Sequence, residues 1–264
     1  MVARSLREYR RALLWWTLGL GVFLSVYLAA YQNIKQDPVT FGRVGIAKFP
    51  GPLKDLMGSA LQDFTSGAGY LQTVVYQLFV PILLTICAMT LANRAIAGPE
   101  ETGTLELVVT LPVTRRRLLL QRFTALALGL LAVAVVTLVV TWLLAGATGM
   151  DIPFSKILAA QLGVYLLALF FGTLTLAVGA ATGRKSVAMA VMGVWVMVGY
   201  MVITIGRNIE AIAWLKWVSP FHYYAEGRPL YQGLPVGDYL VLAGATAVLV
   251  LIAVATFDRR DVGV

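Results

Sequence analysis

Long apolar runs alternate with short polar interruptions along this chain, and the runs set its architecture. Apolar stretches cover residues 12–31, 70–92, 118–145, 157–182, 187–205 and 239–257. Each is near or above the roughly 20 apolar residues that a helix needs to cross about 30 Å of hydrocarbon. Their apolarity is continuous rather than alternating, which marks lipid-embedded helices and not barrel strands. The pattern predicts an all-α, polytopic membrane protein with six transmembrane helices, built as a single domain over residues 1–264.

The polar intervals carry a second layer of pattern. At the N-terminus, residues 1–11 place Val2, Leu6 and Tyr9, followed by Leu13, at helical spacing, with Arg4, Arg7, Arg10 and Arg11 on other faces. This reads as an interfacial helix, with a plain basic membrane anchor as the alternative. Between the second and third runs lies "PEETGTLELVVTLPVTRRR", the most polar part of the chain. Pro99 suits the first turn of a helix, and Glu100 and Glu101 then meet the positive end of its dipole. Leu105, Val108 and Val109 form a short apolar stripe, and Pro112 ends it, so a short amphipathic helix is expected over 99–111. Anionic lipid would repel its acids, which favours a protein partner over a lipid surface. Two further loops are expected outside, at 32–69 and 207–236.

Composition strengthens the membrane reading. Hydrophobic residues are 59% of the chain and charged residues 13%, against roughly 45–50% and about 25% in soluble domains. The mean hydropathy is +0.80. Charge then sets orientation. Arg4, Arg7, Arg10, Arg11, Arg94, Arg115, Arg116, Arg117, Arg122, Arg184, Lys185, Arg259 and Arg260 share one side. Lys35, Arg43, Lys48, Lys54, Lys156, Arg207, Lys216 and Arg228 are spread over the other. The denser side is expected to be cytoplasmic, with both termini on it. The net charge of +8 is therefore topology and headgroup contact rather than a nucleic-acid surface. The first apolar run is longer than the 7–15 residues of a signal-peptide core, so an uncleaved first span is expected.

Chemistry-bearing constellations are scarce. Cys87 is the single cysteine, so no intrachain disulfide or multi-cysteine metal site can form. No zinc-protease motif or nucleophile elbow occurs, and no catalytic, cofactor-binding or metal-binding residue is assigned. "GAATGRKS" at 179–186 approaches a phosphate-binding loop but fails it. Three residues rather than four separate Gly179 from Gly183, Arg184 intrudes before Lys185, and a membrane helix stands where a strand is needed. Gly179 and Gly183 are read as close-packing positions instead.

The polar segment brings in a family. "PEETGTLELVVTLPVTRRRLLLQR" resembles the cytoplasmic segment of type 2 ABC transporter permeases: paired acids, then Gly-Thr-Leu-Glu, then Leu-Pro-Val-Thr-Arg. "WVSPFHYYAEGRPL" looks like the segment such permeases carry between their last two spans, and "FDRRDV" is similar to their ending. The resemblance covers essentially the whole chain. It implies that 99–111 is a coupling helix docking on a separate cytoplasmic ABC ATPase, with Glu100, Glu101, Gly103, Thr104, Leu105 and Glu106 at the contact. It also implies a dimer of permeases, the same or related, with two ATPase copies. ATP and Mg would reside on the ATPase, with none in this chain. The complex would be an exporter in a bacterial or archaeal plasma membrane.

Rival classes stay open at this stage. A secondary carrier or channel usually places ionisable residues inside its spans. No charged residue lies in the interior of the six runs here, Arg122 standing near the start of the third. A non-transporting membrane component of an extraction or signalling complex is the other alternative. Along a pathway, Gln77 and Pro81 are the candidate positions: Pro81 should bend the second span and free a carbonyl, as a hinge or, the slightly favoured reading, as a static kink. Met189, Met192, Met197 and Met201 spread too broadly around the fifth span for a metal ladder and read as adaptable packing. His222, with Trp214, Trp217, Phe221, Tyr223 and Tyr224, reads as an interfacial aromatic belt rather than a ligand cluster, with short external helices capping the pathway as the family implies.

Overall fold

A computed structural model describes residues 2–37, 65–101, 103, 114–204 and 210–259. Helix dominates them, and no strand occurs among the described residues. In chain order, α1 is Val2–Gln36 and α2 is Gly67–Ala95. The short α3 is Ala97–Glu101, followed by α4 (Arg115–Ala147), α5 (Phe154–Thr182) and α6 (Lys185–Thr204). A 3-10 segment, Glu210–Val218, leads to the short α7 (Pro220–Ala225) and α8 (Pro229–Gln232), and α9 is Val236–Arg259. Six of these, α1, α2, α4, α5, α6 and α9, are long and apolar enough to cross a membrane.

The fourth span, α5, is the axis of the bundle. It packs against α2, α4, α6 and α9 and touches α7 and α8. Of its most apolar stretch 72% is buried, against 17% for α1 and for α6. Small residues let it serve both sides. A Cβ at Gly163 would overlap the Tyr239 side chain of α9, whereas one at Gly172 would lie 3.1 Å from Ala88 Cβ of α2. Nine residues at 100° each put these glycines about 180° apart, so opposite faces of α5 meet α9 and α2.

The first span packs mainly on α4. Its buried face is Leu20, Leu24, Leu28 and Tyr31, at helical spacing, while Trp15, Leu18, Val22 and Val26 are exposed. In lipid those exposed apolar residues are in their proper solvent. The expected separate helix over 1–11 is not a distinct element, since α1 runs unbroken from Val2 to Gln36. No proline interrupts that stretch, and 35 residues at 1.5 Å each reach about 52 Å, well beyond the hydrocarbon. The N-terminal turns are therefore a continuation of the first span.

The second span departs from α-helical form. Residues Leu71–Phe79 are π-helical, and regular α-helix resumes at Val80. The Val80 N–H donates to the Val75 carbonyl, five residues back. Pro81 follows directly and has no N–H to give. In this wider register the carbonyl it would have satisfied belongs to Tyr76 rather than to Gln77.

Candidate functional site

The segment between the second and third spans begins with a tight corner. After α2 the backbone breaks at Ile96 (φ −133°, ψ −63°), and α3 starts two residues before Pro99. Ala97 is buried, and a Cβ at Gly179 of α5 would stand 3.3 Å from the Ala97 Cβ. Glu101 reaches the next helix: its Oε1 accepts a 2.7 Å hydrogen bond from the Lys185 N–H, the first residue of α6. A carboxylate there satisfies an orphan N–H and complements the positive end of the α6 dipole. Gly103 has φ +69°, and its N–H donates to the Glu100 carbonyl at 3.0 Å.

Of the short helix expected over 99–111, the part through Glu101 belongs to α3 and Gly103 adopts a left-handed backbone that costs glycine little, while 104–111 lie outside the described residues. Glu100 is partly buried, and Glu101 faces α6. Thr104, Leu105 and Glu106 lie outside the described residues. Of the two glycines read as packing positions, Gly179 packs closely, whereas Gly183 works through its backbone. With φ +67° it caps α5, its N–H donating to the Gly179 carbonyl at 2.8 Å, which allows the turn into α6.

Ion pairs bind the same end of the bundle. Arg116 of α4 donates to Asp258 Oδ2 of α9 through Nε (3.0 Å) and Nη2 (2.8 Å). Arg122 of α4 pairs with Glu8 of α1 at 3.3 Å. In the sequence Arg116 reads as a headgroup contact, and nothing singles out Asp258. Partners 142 residues apart leave no trace in a one-dimensional pattern.

Inside the bundle runs a polar chain. The Tyr76 hydroxyl donates to Gln161 Oε1 (3.2 Å), Gln161 Nε2 donates to Thr137 Oγ1 (2.8 Å), and the Thr137 hydroxyl donates to the Val133 carbonyl (3.0 Å). Three spans, α2, α5 and α4, are joined at buried positions where an unpaired amide would be costly. At the opposite end from α3, α7 tucks into the bundle. The Tyr224 hydroxyl donates to the Tyr76 carbonyl, taking the acceptor that Pro81 leaves without a donor. Burial raises the Tyr224 phenol well above its ordinary value, so it stays a donor. From the sequence, Pro81 implies a freed carbonyl but neither its identity nor its new partner. Gln77 is partly buried on the π-helical stretch, next to Tyr76.

The aromatic segment divides in two. Trp214 and Trp217 are exposed, as an interfacial belt requires, but Phe221, His222 and Tyr224 are buried. His222 Nδ1 lies 3.2 Å from Glu226 Oε2, and its ring packs edge-on to Trp217 and Tyr223. Among the described residues, no three His, Cys, Asp or Glu side chains gather as a metal site. Along α6, Met192 is buried, while Met189, Met197 and Met201 face outward.

These features define a polytopic helical membrane protein in which the corner at 97–101 is tied into three spans. The family model described as ABC-2 family transporter protein matches residues 2–262, and the chain belongs to that family. It is a membrane permease of the ABC transporter class, a class that works with an ABC ATPase subunit. Comparison with curated proteins gave no match.

Proposed function

We propose that this chain is the permease subunit of an ABC exporter in a bacterial or archaeal plasma membrane. It would be paired with a second permease and driven by two copies of a separate cytoplasmic ATPase that holds ATP and Mg. The observation that carries this reading is the corner at 97–101. Ala97 rests on Gly179 of α5, Glu101 caps α6, and α3 packs beside α2 across the break at Ile96. A push transmitted to residues 97–101 would therefore reach the second, fourth and fifth spans together. The chain itself would perform no covalent chemistry; its work is to couple movement to the pathway.

The test is co-purification from mild detergent. A nucleotide-binding ATPase should accompany the native chain and be lost from Leu105→Glu and Glu106→Lys variants that still insert. Glu101 is left unchanged because it serves α6. Retention of the ATPase by both variants would move the contact elsewhere, and absence of any ATPase under gentle conditions would reject the reading. Direction is then read from ATP-dependent accumulation in inverted vesicles, which an exporter supports and an importer does not.

A further inference from the structure

At the end of the bundle away from α3, the turn between α4 and α5 borders an open cleft of about 410 Å³. It is lined by Trp142, Gly146, Asp151, Ile152 and Pro153. We propose that this cleft binds the ammonium headgroup of a zwitterionic membrane phospholipid.

Three features converge on that ligand. First, the indole of Trp142 is open on the cleft side. Trp142 is 47% exposed and lines the cleft, and Gly146, one turn further along α4 on the same helix face, adds no side chain to it. Phe154 steadies the indole edge-on at 5.6 Å between centroids. An aromatic face of this kind attracts cations, tryptophan most strongly.

Second, the carboxylate of Asp151 stands exposed at the mouth, with no hydrogen-bond or ion-pair partner among the described residues. Its backbone is left-handed, with φ +48°. The flanking turn is anchored on both sides. The Met150 N–H donates to the Ala145 carbonyl at 3.0 Å, and Met150 is buried against Gly67. Lys35 Nζ donates to the Gly149 carbonyl at 3.4 Å. The acid is therefore held in place without being neutralised. Lys35 brings a positive charge to the same turn, which suits the phosphate of a zwitterion better than a bare cation.

Third, the surface below the cleft is lipid-like. Val135, Val139 and Trp142 form an exposed stripe at i, i+4 and i+7 down α4, a path for an acyl chain. A soluble amine would have no use for that stripe, so the occupant is a lipid and not a free cation.

The experiment compares lipid retention by native mass spectrometry. The chain is released from nanodiscs containing equal amounts of phosphatidylethanolamine, phosphatidylcholine and phosphatidylglycerol with identical acyl chains. The zwitterionic lipids should be retained about fivefold over phosphatidylglycerol, the scale of one cation–π contact with a carboxylate beside it. Asp151→Asn and Asp151→Gly both tolerate the left-handed backbone, so they remove the charge without straining the turn. Both should abolish the preference while leaving the thermal midpoint in place. Trp142→Leu should weaken phosphatidylcholine retention further than phosphatidylethanolamine retention. Equal retention of phosphatidylglycerol by the native chain, or an unchanged preference in both Asp151 variants, would overturn the proposal. Free choline or ethanolamine should compete only at concentrations far above those of the lipid; equal retention of the free amine and of the phospholipid would also overturn it, because the acyl stripe would then contribute nothing.

Discussion

At the scale of single residues, Glu101 and Gly163 show contacts dominating over intrinsic preference. Glu101 is exposed, yet it is committed to the first N–H of α6. Glu101→Ala should cost about 0.5–2 kcal/mol of local helix stability, the range for a lost N-terminal cap. Amide exchange at Lys185 should accelerate accordingly, while Glu101→Gln, which keeps an oxygen acceptor, should retain most of the protection. Equal exchange in all three proteins would show that the bond contributes nothing. Gly163 is the converse case, a helix-interior glycine where helix propensity alone would favour alanine by about 1 kcal/mol. Because a Cβ there overlaps Tyr239, Gly163→Ala should instead destabilise by about 1–3 kcal/mol, the usual cost of overpacking. Gly244 on α9 has open space around its would-be Cβ. Gly244→Ala should therefore leave the thermal midpoint in detergent unchanged or raised, and a drop equal to that of Gly163→Ala would show that packing is not the cause.

Among elements, the second span joins two features that separate sequence signals could not connect. Its π-helical stretch and Pro81 leave the Tyr76 carbonyl without a backbone donor, and Tyr224 supplies one from α7. Tyr224→Phe should therefore cost about 1–3 kcal/mol, the penalty for a buried acceptor left unmade. Pro81→Ala restores an N–H that can reach the same carbonyl. The double variant should then lose less than the sum of the single changes, with a coupling of about 0.5–3 kcal/mol in denaturant unfolding. Strict additivity would mean the two groups do not share the acceptor. The six spans themselves were legible, because uncharged runs of bilayer length, repeated six times, suit a hydrocarbon solvent and not water. The π register was not, since a proline in an apolar run says a donor is missing but not whether the ladder counts four or five. The aromatic segment was half legible: Trp214 and Trp217 are exposed, but nothing local distinguishes them from Tyr224, whose buried role depends on a carbonyl 148 residues away. At the corner, Glu100 and Glu101 were readable as helix-start acids, yet Glu101 caps α6 rather than α3.

For the whole molecule, charge distribution and burial make orientation testable. The ion pair between Arg116 and Asp258 joins α4 to α9, but its partners are 68% and 35% exposed. Pairs of that kind contribute about 0–1 kcal/mol, so Asp258→Asn should barely shift the thermal midpoint. The bundle is held instead by α5, with its small residues set between α2 and α9, and that leaves the loops free to be probed. Cys87 is fully buried, so the native thiol should be silent toward a membrane-impermeant maleimide and any label should report an introduced cysteine. Ser186, next to the α5–α6 turn, and Gln232, at the end of α8, are both exposed and lie at opposite ends of the long helices. The basic clusters around Arg115 and Arg184 draw the Ser186 end toward the cytoplasm by the positive-inside bias. Ser186→Cys should consequently label in inverted vesicles and stay unlabelled in intact cells, and Gln232→Cys should do the reverse. If instead Ser186→Cys labels in intact cells, α3 would lie outside, away from ATP, and coupling through residues 99–111 would be physically impossible whatever the family does.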